Sequence, residues 1–336
     1  VYYIKVADRI LHEMASPVTL ENHKVFVSIS LGIVLGSESY DNAEDILRDA
    51  DIAMYQAKKR GRGRYEIFNS SMLDHVVSRS QLESAMRNSL ENGDFVVYYQ
   101  PIMQLTTNQV IGFEALLRWN HPEKGLLLPE DFISIAEETG LIIPIGYWVI
   151  EVACKQLHDW ITLNPNQSHL SVNVNLSPKQ FSERDLIDKV TSAITKYHLD
   201  SSQLKLEITE SLIIENREAV SETLERLRQI GIQVEIDDFG TGYSSLGYLS
   251  TLPVDTLKID RSFINQIREN NGGAEIVQTI LALAQNLGMN VIAEGVETII
   301  QLEKLKTLGC DFVQGFYFYE ALDPLEAVKL IQTQKN

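Results

Sequence analysis

The sequence is poor in cysteine and lacks long apolar runs, and each shortage excludes a class of protein. Its two cysteines, Cys154 and Cys310, lie far apart and form no CxxC pair, so we expect free core thiols in a reducing compartment rather than a disulfide. No apolar run approaches the roughly 18 residues of a membrane-spanning helix, so we expect no membrane contact in this chain. It has neither an initiator methionine nor a signal peptide. We interpret it as a cytoplasmic fragment of a longer protein, whose upstream regions could carry a membrane anchor.

Positive charge is also scarce. The chain has 29 Lys and Arg residues against 46 Asp and Glu residues, a formal net charge of −17. A nucleic-acid-binding surface needs a basic stripe, so we expect no DNA or RNA partner. A phosphate-ester substrate would then need metal cations or a few local basic residues. The 336 residues, 44% of them hydrophobic, are enough for a sizeable core in one large domain or two ordinary ones.

Residues 1–69 have the pattern of half an α/β domain. The segment VFVSISLGIV (25–34) is rich in β-branched residues and predicts a strand, and RYEIFN (64–69) predicts a second, short one. Between them we expect an amphipathic helix with Asn42 as its N-cap and Gly61 at its C-terminal end. The predicted order is helix, strand, helix, strand. A single pair of strands leaves one face uncovered, so this region is not a complete domain.

Residues 70–94 have helical periodicity, with apolar residues on one face. Gly93 follows as a stop signal. We expect a connecting helix over 70–82 that leads into a second domain spanning 83–336.

From residue 95 onward, eight buried segments alternate with helical patterns. The predicted strands are FVVYYQPIM, VIGFEALLRW, LSVNVNL, LKLEITE, QVEIDDF, VDTLKID, NVIAEGV and FVQGFYF. Alternation with helices predicts a parallel sheet, and eight strands predict a (β/α)8 barrel of the TIM type. Only QLTTNQ separates the first two strands, whereas a parallel crossover needs a dozen or more residues. The barrel should therefore have one antiparallel strand.

Each predicted strand carries a polar residue toward its end: Gln100, Glu114, Asn175, Glu207, Asp237 with Asp238, Lys258, Glu294 and Gln314. Barrel enzymes build their sites from the C-terminal ends of strands, so these groups could meet at one mouth. The alternative for any one of them is a cap on the following helix or turn. Capping does not explain the whole set, because Glu is a poor cap and carboxylates are costly to bury without cations.

The strand ends offer oxygen ligands only. None of the seven histidines ends a predicted strand, and no HxxH or CxxC pair is present, which favours Mg²⁺ or Mn²⁺ over Zn²⁺. The adjacent Asp237 and Asp238 could serve two ions about 4 Å apart, which would clamp a phosphodiester and activate a water for in-line attack. Lys258 could orient that water or stabilise developing charge. Phosphodiester hydrolysis is the reaction that fits.

Two family resemblances rest on longer motifs. SISLGI and ADIAMYQAKKRGRGRYEIFN resemble the C-terminal half of a GGDEF domain, the diguanylate cyclase fold. The GG(D/E)EF signature, which lies upstream of this half in the family, is absent from the sequence, so we expect no cyclase activity. Residues from about 83 to 333 are similar to the EAL domain of cyclic di-GMP phosphodiesterases, whose fold is a barrel with one reversed strand. The motifs that carry this resemblance are YYQPI, GFEALLRWNHP, VNLSPKQF, LEITES, IDDFGTGYSSL, LKIDRSFI, IAEGVET and DFVQGFYF.

The EAL resemblance implies a two-metal site. The first ion would be held by Glu114, Asn175, Glu207 and Asp237. Asp237 would bridge to a second ion that Asp238 also binds, with Glu294 as a ligand or a water-mediated partner. Asn173 lies on the same strand face as Asn175, but the NLS context favours Asn175.

The same resemblance implies the groups that act on the substrate. Lys258 and Glu294 are both candidates for activating the water, and the sequence does not choose between them. The implied substrate contacts are Gln100, Leu116, Arg118, Asp260 and Gln314. Arg118 would contact a phosphate, with a surface salt bridge as the alternative. Asp260 would orient Lys258 or contact the substrate.

The stretch DDFGTGYSSL is expected to be an active-site loop. Gly240 and Gly242 give a mobile backbone after two metal ligands, with an ordinary tight turn as the alternative. In the family this loop, which includes Thr241 here, links the metal site to a dimer interface, and Glu210 anchors it. We therefore expect a homodimer formed through the EAL domain.

The tripeptide Glu-Ala-Leu occurs twice, at 114–116 and at 320–322. The first copy lies in GFEALLRW and corresponds to the family signature. The second follows the last predicted strand, where relatives usually carry a proline before the leucine, and we expect it to do no chemistry.

The leading hypothesis is a phosphodiesterase of bacterial second-messenger signalling, which linearises cyclic di-GMP to pGpG. The alternative is a catalytically silent receptor that binds cyclic di-GMP or a protein partner. Silent domains of this kind usually lack metal ligands or the DDFG aspartates, and this sequence retains them.

Overall fold

The computed structural model of the chain describes residues 2–20, 23–36, 40, 42–215, 217–242, 246–268 and 273–334. The chain divides into two compact units, residues 1–85 and 86–336. Part of the expected loop, residues 243–245 of DDFGTGYSSL, lies outside the described residues.

The first unit contains two small sheets and two helices before its long C-terminal helix. Its elements are α1 (Tyr2–Met14), β1 (Val18–Leu20), β2 (His23–Val25), β3 (Leu31–Ile33), α2 (Ala43–Lys59) and β4 (Tyr65–Ile67). Strands β1 and β2 form an antiparallel hairpin, whereas β3 pairs with β4 in parallel. The prediction of one strand over 25–34 is wrong, because Val25 pairs with Val18 in the hairpin and only residues 31–33 join β4. A run of β-branched residues indicates extended backbone but not where the partner strand changes.

The predicted ends of α2 are confirmed. The Asn42 side chain accepts a hydrogen bond from the backbone N–H of Asp45 at 2.8 Å, which satisfies one of the free donors of the first turn. Gly61 follows the helix with φ of +105°, a conformation that glycine adopts without steric cost. The helix α3 (Ser70–Asn92) follows, and Gly93 comes directly after it with φ of +78°.

The second unit is a closed barrel. Its strands are β5 (Phe95–Gln104), β6 (Gln109–His121), β7 (Gly125–Leu127), β8 (Ser171–Asn175), β9 (Leu204–Thr209), β10 (Gln233–Phe239), β11 (Thr256–Ile259), β12 (Asn290–Ala293) and β13 (Phe312–Val313). Every predicted barrel strand is present, and β7 is a short addition that pairs with the end of β6. Strand β6 runs on to His121, contrary to the expectation that no histidine ends a strand. The His121 Nδ1 accepts hydrogen bonds from the backbone N–H groups of Glu123 and Lys124 and so belongs to the turn.

The helices of this unit lie between the strands in the chain. They are α4 (Pro129–Thr139), α5 (Ile142–Leu163), α6 (Pro178–Phe181), α7 (Leu186–Lys196), α8 (Glu210–Glu215), α9 (Arg217–Gln229), α10 (Leu246–Leu249), α11 (Arg261–Ile264), α12 (Glu275–Leu287), α13 (Ile299–Thr307) and α14 (Pro324–Thr333). Short 3-10 turns occupy Pro165–Gln167 and Ser201–Gln203. Helix α5 buries a face against β8 that includes Ile145, Val149 and Leu157. Burial of each such side chain contributes about 1.5–3 kcal/mol.

The predicted reversed strand is β5. It is antiparallel to both of its neighbours, β6 and β13, and the β5–β6 pairing closes the barrel. From β6 through β13 the other successive barrel strands pair in parallel. The carboxyl ends of seven strands therefore meet at one rim, which we call the mouth.

Both cysteines are free and buried, as predicted. Burial raises the pKa of each thiol to about 12, so neither is a reactive thiolate at neutral pH. None of the helices within the described residues has the length and apolar character needed to cross a bilayer.

Candidate active site

The strand register brings the predicted polar residues to the mouth. Asn175 on β8 lies opposite Glu207 on β9 in the parallel ladder, and Asp237 on β10 lies opposite Thr209, two positions further along β9. In the antiparallel ladder, Gln100 on β5 faces Glu114 on β6. Gln100 therefore reaches the mouth from the middle of its strand, because β5 runs in the opposite direction.

One buried ammonium lies at the centre of the mouth. Lys258, on β11, is fully buried, and its Nζ contacts four carboxylates: Glu294 at 2.7 Å, Glu207 at 2.8 Å, Asp237 at 3.3 Å and Glu114 at 3.5 Å. We call these five residues the mouth cluster. Buried charges persist only when they are paired, and here four negative groups share a single positive one.

The pKa values of the mouth cluster reflect this shortage of positive charge. Burial alone would lower the pKa of Lys258, but the surrounding carboxylates outweigh it and raise the pKa well above its usual value. Burial, reinforced by the charge of Glu114, raises the pKa of Glu207 well above the ordinary range. Burial also raises the pKa of Glu294 to about 8, against the opposing charge of Lys258. The cluster therefore holds more acidic groups than one ammonium can balance, and burial favours the protonated form of Glu207 and Glu294, whose protons a bound cation would displace.

Glu114 is held by amides as well as by the ammonium. Its Oε1 accepts a hydrogen bond from Asn175 Nδ2 at 2.7 Å, and its Oε2 accepts one from Gln314 Nε2 at 2.6 Å. Burial acts to raise the pKa of Glu114, but the charge of Lys258 and these two hydrogen bonds lower it. Gln314 Nε2 also donates to Gln100 Oε1 at 2.8 Å. The predicted residues Gln100, Glu114, Asn175 and Gln314 thus form one connected network.

A second group of oxygens lies at the outer side of the cluster. Asp237, Asp238 and Glu294 each offer a carboxylate oxygen, and these atoms all lie within 4.8 Å of one another. Asp238 adopts φ of +55° at a point where the β10–β11 register shifts, and such irregularities re-aim side chains. Burial and the charge of Asp237 raise the pKa of Asp238.

The donor set fits hard divalent cations. All of the groups at the mouth other than Lys258 present carboxylate or amide oxygens, which Mg²⁺ and Mn²⁺ prefer. One of these oxygens, Gln314 Oε1, is buried and has no hydrogen-bond partner within the described residues. Several carboxyl groups and a buried oxygen of this kind are costly to gather at one site, and a divalent cation would offset that cost.

The loop after Asp238 is tied to the start of α8 by Glu210. The Glu210 Oε2 accepts hydrogen bonds from the backbone N–H of Gly240 at 2.8 Å and of Gly242 at 3.2 Å. A Cβ atom on Gly240, where φ is +99°, would lie 2.7 Å from the ring of Phe263, and one on Gly242 would lie 2.9 Å from the Glu210 carboxyl. The Thr241 hydroxyl donates to the Asp238 carbonyl at 2.8 Å. Both glycines are therefore required by close packing.

The remaining predicted substrate contacts lie around the mouth. Arg118 is half-buried, donates to the Leu117 carbonyl at 2.9 Å and lies over the Tyr98 ring at 5.7 Å. It forms no salt bridge within the described part of the chain, which removes the alternative considered for it, and burial lowers the pKa of its guanidinium. Leu116 and Asn175 border a mostly apolar cavity of about 350 Å³ between the β6 and β8 ends and the helices α4 to α6.

Asp260 has a capping role. Its Oδ1 accepts a hydrogen bond from the backbone N–H of Ser262 at 3.0 Å and so caps α11. The ion pairs of Lys258 are made with the other members of the mouth cluster, so Asp260 does not orient Lys258 by direct contact. The caps of α6 and α13 are Ser177 and Thr298. These three capping residues lie outside the mouth cluster, so capping does not account for the cluster.

Sequence reasoning missed most of a second layer of polar residues below the mouth, because it considered Asn173 only as an alternative to Asn175 and did not single out Lys205 or Glu235. We call Asn173, Lys205 and Glu235 the lower layer; they lie two positions before Asn175, Glu207 and Asp237 on the same strands. Asn173 and Glu235 are fully buried. The signal was present in the sequence, since residues i and i+2 of a strand share a face.

Comparison with known protein families and curated proteins gives two family matches. The model described as "EAL domain" matches residues 83–321, and the one described as "Diguanylate cyclase, GGDEF domain" matches residues 3–64. The chain is 42% identical over 311 residues to the bifunctional diguanylate cyclase/cyclic di-GMP phosphodiesterase MucR of Pseudomonas aeruginosa, covering 93% of this chain and 45% of MucR. It is 38% identical over 323 residues to the cyclic di-GMP phosphodiesterase PdeR of Escherichia coli, covering 96% of this chain and 48% of PdeR. The chain spans less than half the length of these relatives.

Solved structures give the same fold. The structure described as "PaMucR Phosphodiesterase, c-di-GMP complex" matches with a TM-score of 0.70 and 42% identity, covering 74% of this chain and 99% of that chain. The EAL domain of Mycobacterium smegmatis DcpA matches with a TM-score of 0.62 and 34% identity, covering 72% of this chain and 99% of that chain.

Proposed function

The chain belongs to the EAL domain family, and we propose that it is a metal-dependent phosphodiesterase that hydrolyses cyclic di-GMP to linear pGpG. The observation that carries the proposal is the mouth cluster, in which four carboxylates surround one buried ammonium. The names of the relatives MucR and PdeR as cyclic di-GMP phosphodiesterases support the substrate. The complex of the MucR phosphodiesterase with c-di-GMP supports binding of this nucleotide at the same fold.

Two Mg²⁺ or Mn²⁺ ions would complete this site. We propose that the first is held by Glu114, Asn175, Glu207 and Asp237. We propose that the second is held by Asp237, Asp238 and Glu294, whose oxygens already converge. When bound, such ions neutralise the phosphate charge and lower the pKa of a bound water.

The proton acceptor is proposed to be Glu294 rather than Lys258. The neighbouring carboxylates keep Lys258 in its ammonium form, and an ammonium has no lone pair with which to accept a proton. Glu294 has two carboxylate oxygens, so one can hold the second ion while the other accepts a proton from the water. Lys258, 2.7 Å from Glu294, would orient that carboxylate and stabilise charge that develops on the phosphate.

The reaction would open one phosphodiester of the ring. The oxygen of a water attacks the phosphorus, one of its protons passes to Glu294, and the bond from phosphorus to the 3′ oxygen breaks. The released 3′ oxygen takes up a proton, which leaves a 5′-phosphate and a 3′-hydroxyl in pGpG.

The substrate would be positioned by groups around the mouth. Arg118, which forms no salt bridge with the described residues, is available for a phosphate. Gln314 Oε1, buried and without a hydrogen-bond partner among the described residues, offers an acceptor for a base or ribose donor beside Gln100. Leu116 borders the apolar cavity, and Asp260 is proposed to contact the substrate from the rim.

The Glu210-anchored loop is proposed to couple the site to a homodimer interface. Gly240, Thr241 and Gly242 follow directly on the ligands Asp237 and Asp238, and the Glu210 carboxylate fixes the two glycine N–H groups. A movement of this loop would therefore shift Asp238. We assign no cyclase activity to residues 1–69, which lack the GG(D/E)EF signature.

Incubation of the purified chain with cyclic di-GMP and either Mg²⁺ or Mn²⁺, followed by chromatographic separation, tests the proposal. The expected result is pGpG, formed only with metal and abolished by a chelator. Tight binding of the intact nucleotide without turnover by the metal-loaded chain would contradict hydrolysis and establish a receptor instead.

A further inference from the structure

The lower layer connects the mouth cluster to the interior of the barrel. Asn173 Nδ2 donates to Glu207 Oε1 at 2.9 Å and to Glu235 Oε2 at 2.7 Å. Lys205 Nζ pairs with Glu235 Oε1 at 3.1 Å. Because Glu207 Oε2 contacts Lys258 Nζ at 2.8 Å, a continuous chain of polar contacts runs from Lys258 to Lys205.

These polar contacts fix the orientation of the Glu207 carboxylate. Its Oε1 is occupied from below by Asn173, so its Oε2 is the oxygen directed to Lys258 and to the proposed metal site. A fully buried carboxylate that lacked the lower hydrogen bond could turn about its terminal torsion, which is broad for Glu. Asn173 therefore decides which oxygen of Glu207 faces the cation.

The orientation of Asn173 is itself determined by its neighbours. Both of its Nδ2 hydrogens are used by carboxylates, one on each side, and Glu235 is held in turn by Lys205. The Asn173 Oδ1 is buried and has no hydrogen-bond partner within the described residues. A buried oxygen without a partner is destabilising. The orientation of Asn173 therefore costs stability at Oδ1, and what it provides is a donor against Glu207.

We propose that Asn173 is a positioning residue for the metal ligand Glu207, and that the Glu235–Lys205 pair holds Asn173 in its donating orientation. This inference rests on the proposed metal-dependent function. Asn173 touches neither substrate nor reacting atoms, and acts only through Glu207. Hydrogen-bond partners of metal ligands typically contribute 10–100-fold to metal affinity or activity.

Direct titration with Mn²⁺, by calorimetry or by the loss of the free Mn²⁺ paramagnetic resonance signal, measures this role without relying on turnover. We expect Asn173→Ala to raise the Mn²⁺ dissociation constant about 10–100-fold. Asn173→Ser, which keeps a single donor, should give an intermediate value. The matched control is Ser89→Ala, which removes a buried hydroxyl that bonds Asp94; it should leave Mn²⁺ binding within about twofold of the parent.

A charge-matched double variant separates geometry from charge. Lys205→Met with Glu235→Gln removes both charges of the lower pair and keeps an amide oxygen to accept from Asn173. We expect its Mn²⁺ dissociation constant to stay within about threefold of the parent. In contrast, Glu235→Ala removes the acceptor that orients Asn173 and should weaken Mn²⁺ binding about tenfold.

The outcomes separate this inference from the proposed function. Unchanged Mn²⁺ binding in folded Asn173→Ala, with folding checked by thermal unfolding, would overturn the positioning role even if the parent hydrolyses cyclic di-GMP. If Asn173→Ala binds Mn²⁺ more weakly than the parent, and the parent forms no pGpG, the positioning role is supported and the phosphodiesterase is contradicted. If the double variant weakens Mn²⁺ binding as much as Asn173→Ala does, the charges of Glu235 and Lys205, rather than the orientation of Asn173, affect the metal site. That result would overturn the role given to Glu235 and Lys205.

Discussion

The two copies of Glu-Ala-Leu are identical in sequence and different in every physical respect. Glu114, in the first copy, lies inside a strand paired on both sides, is 6% exposed and has hydrogen bonds from Asn175 and Gln314. Glu320, in the second, is exposed and follows the last barrel strand. Leu322 forms an isolated bridge with Tyr99 through two backbone hydrogen bonds of 2.8 and 2.9 Å.

The comparison shows that the strand, rather than the tripeptide, creates the functional group. In β6 the period-2 alternation points Glu114 into the barrel and Ala115 away from it, and residues on or next to other barrel strands supply an ammonium and two amides. After β13, Leu322 of the second copy pairs with Tyr99 through its backbone, and the Glu320 side chain is left in water. A buried carboxylate surrounded by other charges can bind a cation, whereas a single solvated one has little affinity for it.

The largest expected effect separates the two copies directly. Glu114→Ala should lower kcat/KM for cyclic di-GMP hydrolysis by about 1000-fold or more, because it removes a metal ligand worth several kcal/mol of transition-state stabilisation. Glu320→Ala should leave kcat/KM within about twofold of the parent. Steady-state kinetics with Mn²⁺ and Mg²⁺ measure both. Equal losses in the two variants would contradict the distinction.

The next effect tests Lys258, the ammonium that Glu114 of the first copy contacts. Lys258→Met should lower kcat about 100–1000-fold, as loss of one preorganised charge-stabilising donor does. It should also lower the free energy of unfolding in a chelator by about 3–5 kcal/mol, because buried carboxylates lose their counter-charge. Urea unfolding with and without Mg²⁺ checks this. Lys155→Met, which removes an exposed pair with Asp159, is the control and should change stability by less than about 1 kcal/mol.

The third effect is a pH dependence of Mn²⁺ affinity, which we expect from Glu294 near the first copy and not from Glu320 in the second. Because burial raises the pKa of Glu294 to about 8, this carboxyl holds a proton at lower pH, and a metal ion must displace it. Mn²⁺ affinity should therefore rise between pH 6 and about 8, by about tenfold per unit for each proton displaced. Calorimetric titration between pH 6 and 9 measures the slope. Glu294→Gln should flatten it by one proton, whereas Glu320→Gln should not; an unchanged slope in Glu294→Gln would refute the assignment.

The smallest effect compares the two leucines. Leu116 borders the apolar cavity beside the mouth, so Leu116→Ala should raise KM about fivefold through loss of roughly 1 kcal/mol of apolar contact, with kcat changed by less than about twofold. Leu322→Ala keeps the backbone bridge to Tyr99 and should leave KM unchanged. A rise in KM for Leu322→Ala equal to that for Leu116→Ala would mean that the second copy also reaches the substrate.

Much of the barrel was predictable because its signals are local. Eight short apolar segments separated by helical patterns predict the barrel, and the six-residue QLTTNQ connection predicts the reversed β5. The strand predicted over 25–34 failed, because residues 26–30 separate two pairings that involve different partners. The extension of β6 to His121 was also missed, since it depends on β7, three residues that pair only with the end of β6.

Which residues meet at the mouth was predictable from the polar strand ends, but their contacts were not. The roles that the family resemblance implies for these residues stay predictions. Asp260 shows the limit: its position two residues after Lys258 indicated a contact with that lysine, yet its carboxylate turns outward to cap α11. Glu235 and Lys205 were overlooked because, in isolation, a charged residue in a strand indicates a solvated face.

The sequence alone determined which ionisable residues are available, the order of the barrel strands and the reversal of one of the first two strands, since these follow from the order and chemistry of neighbouring residues. Only the tertiary structure decided that four carboxyl groups, from β6, β9, β10 and the residue after β12, share the ammonium of Lys258. It also decided that Asn173 joins two buried glutamates from different strands. These contacts link residues up to 180 positions apart, from Glu114 to Glu294, and their strengths depend on burial and distance, which closure of the barrel sets and no local pattern contains.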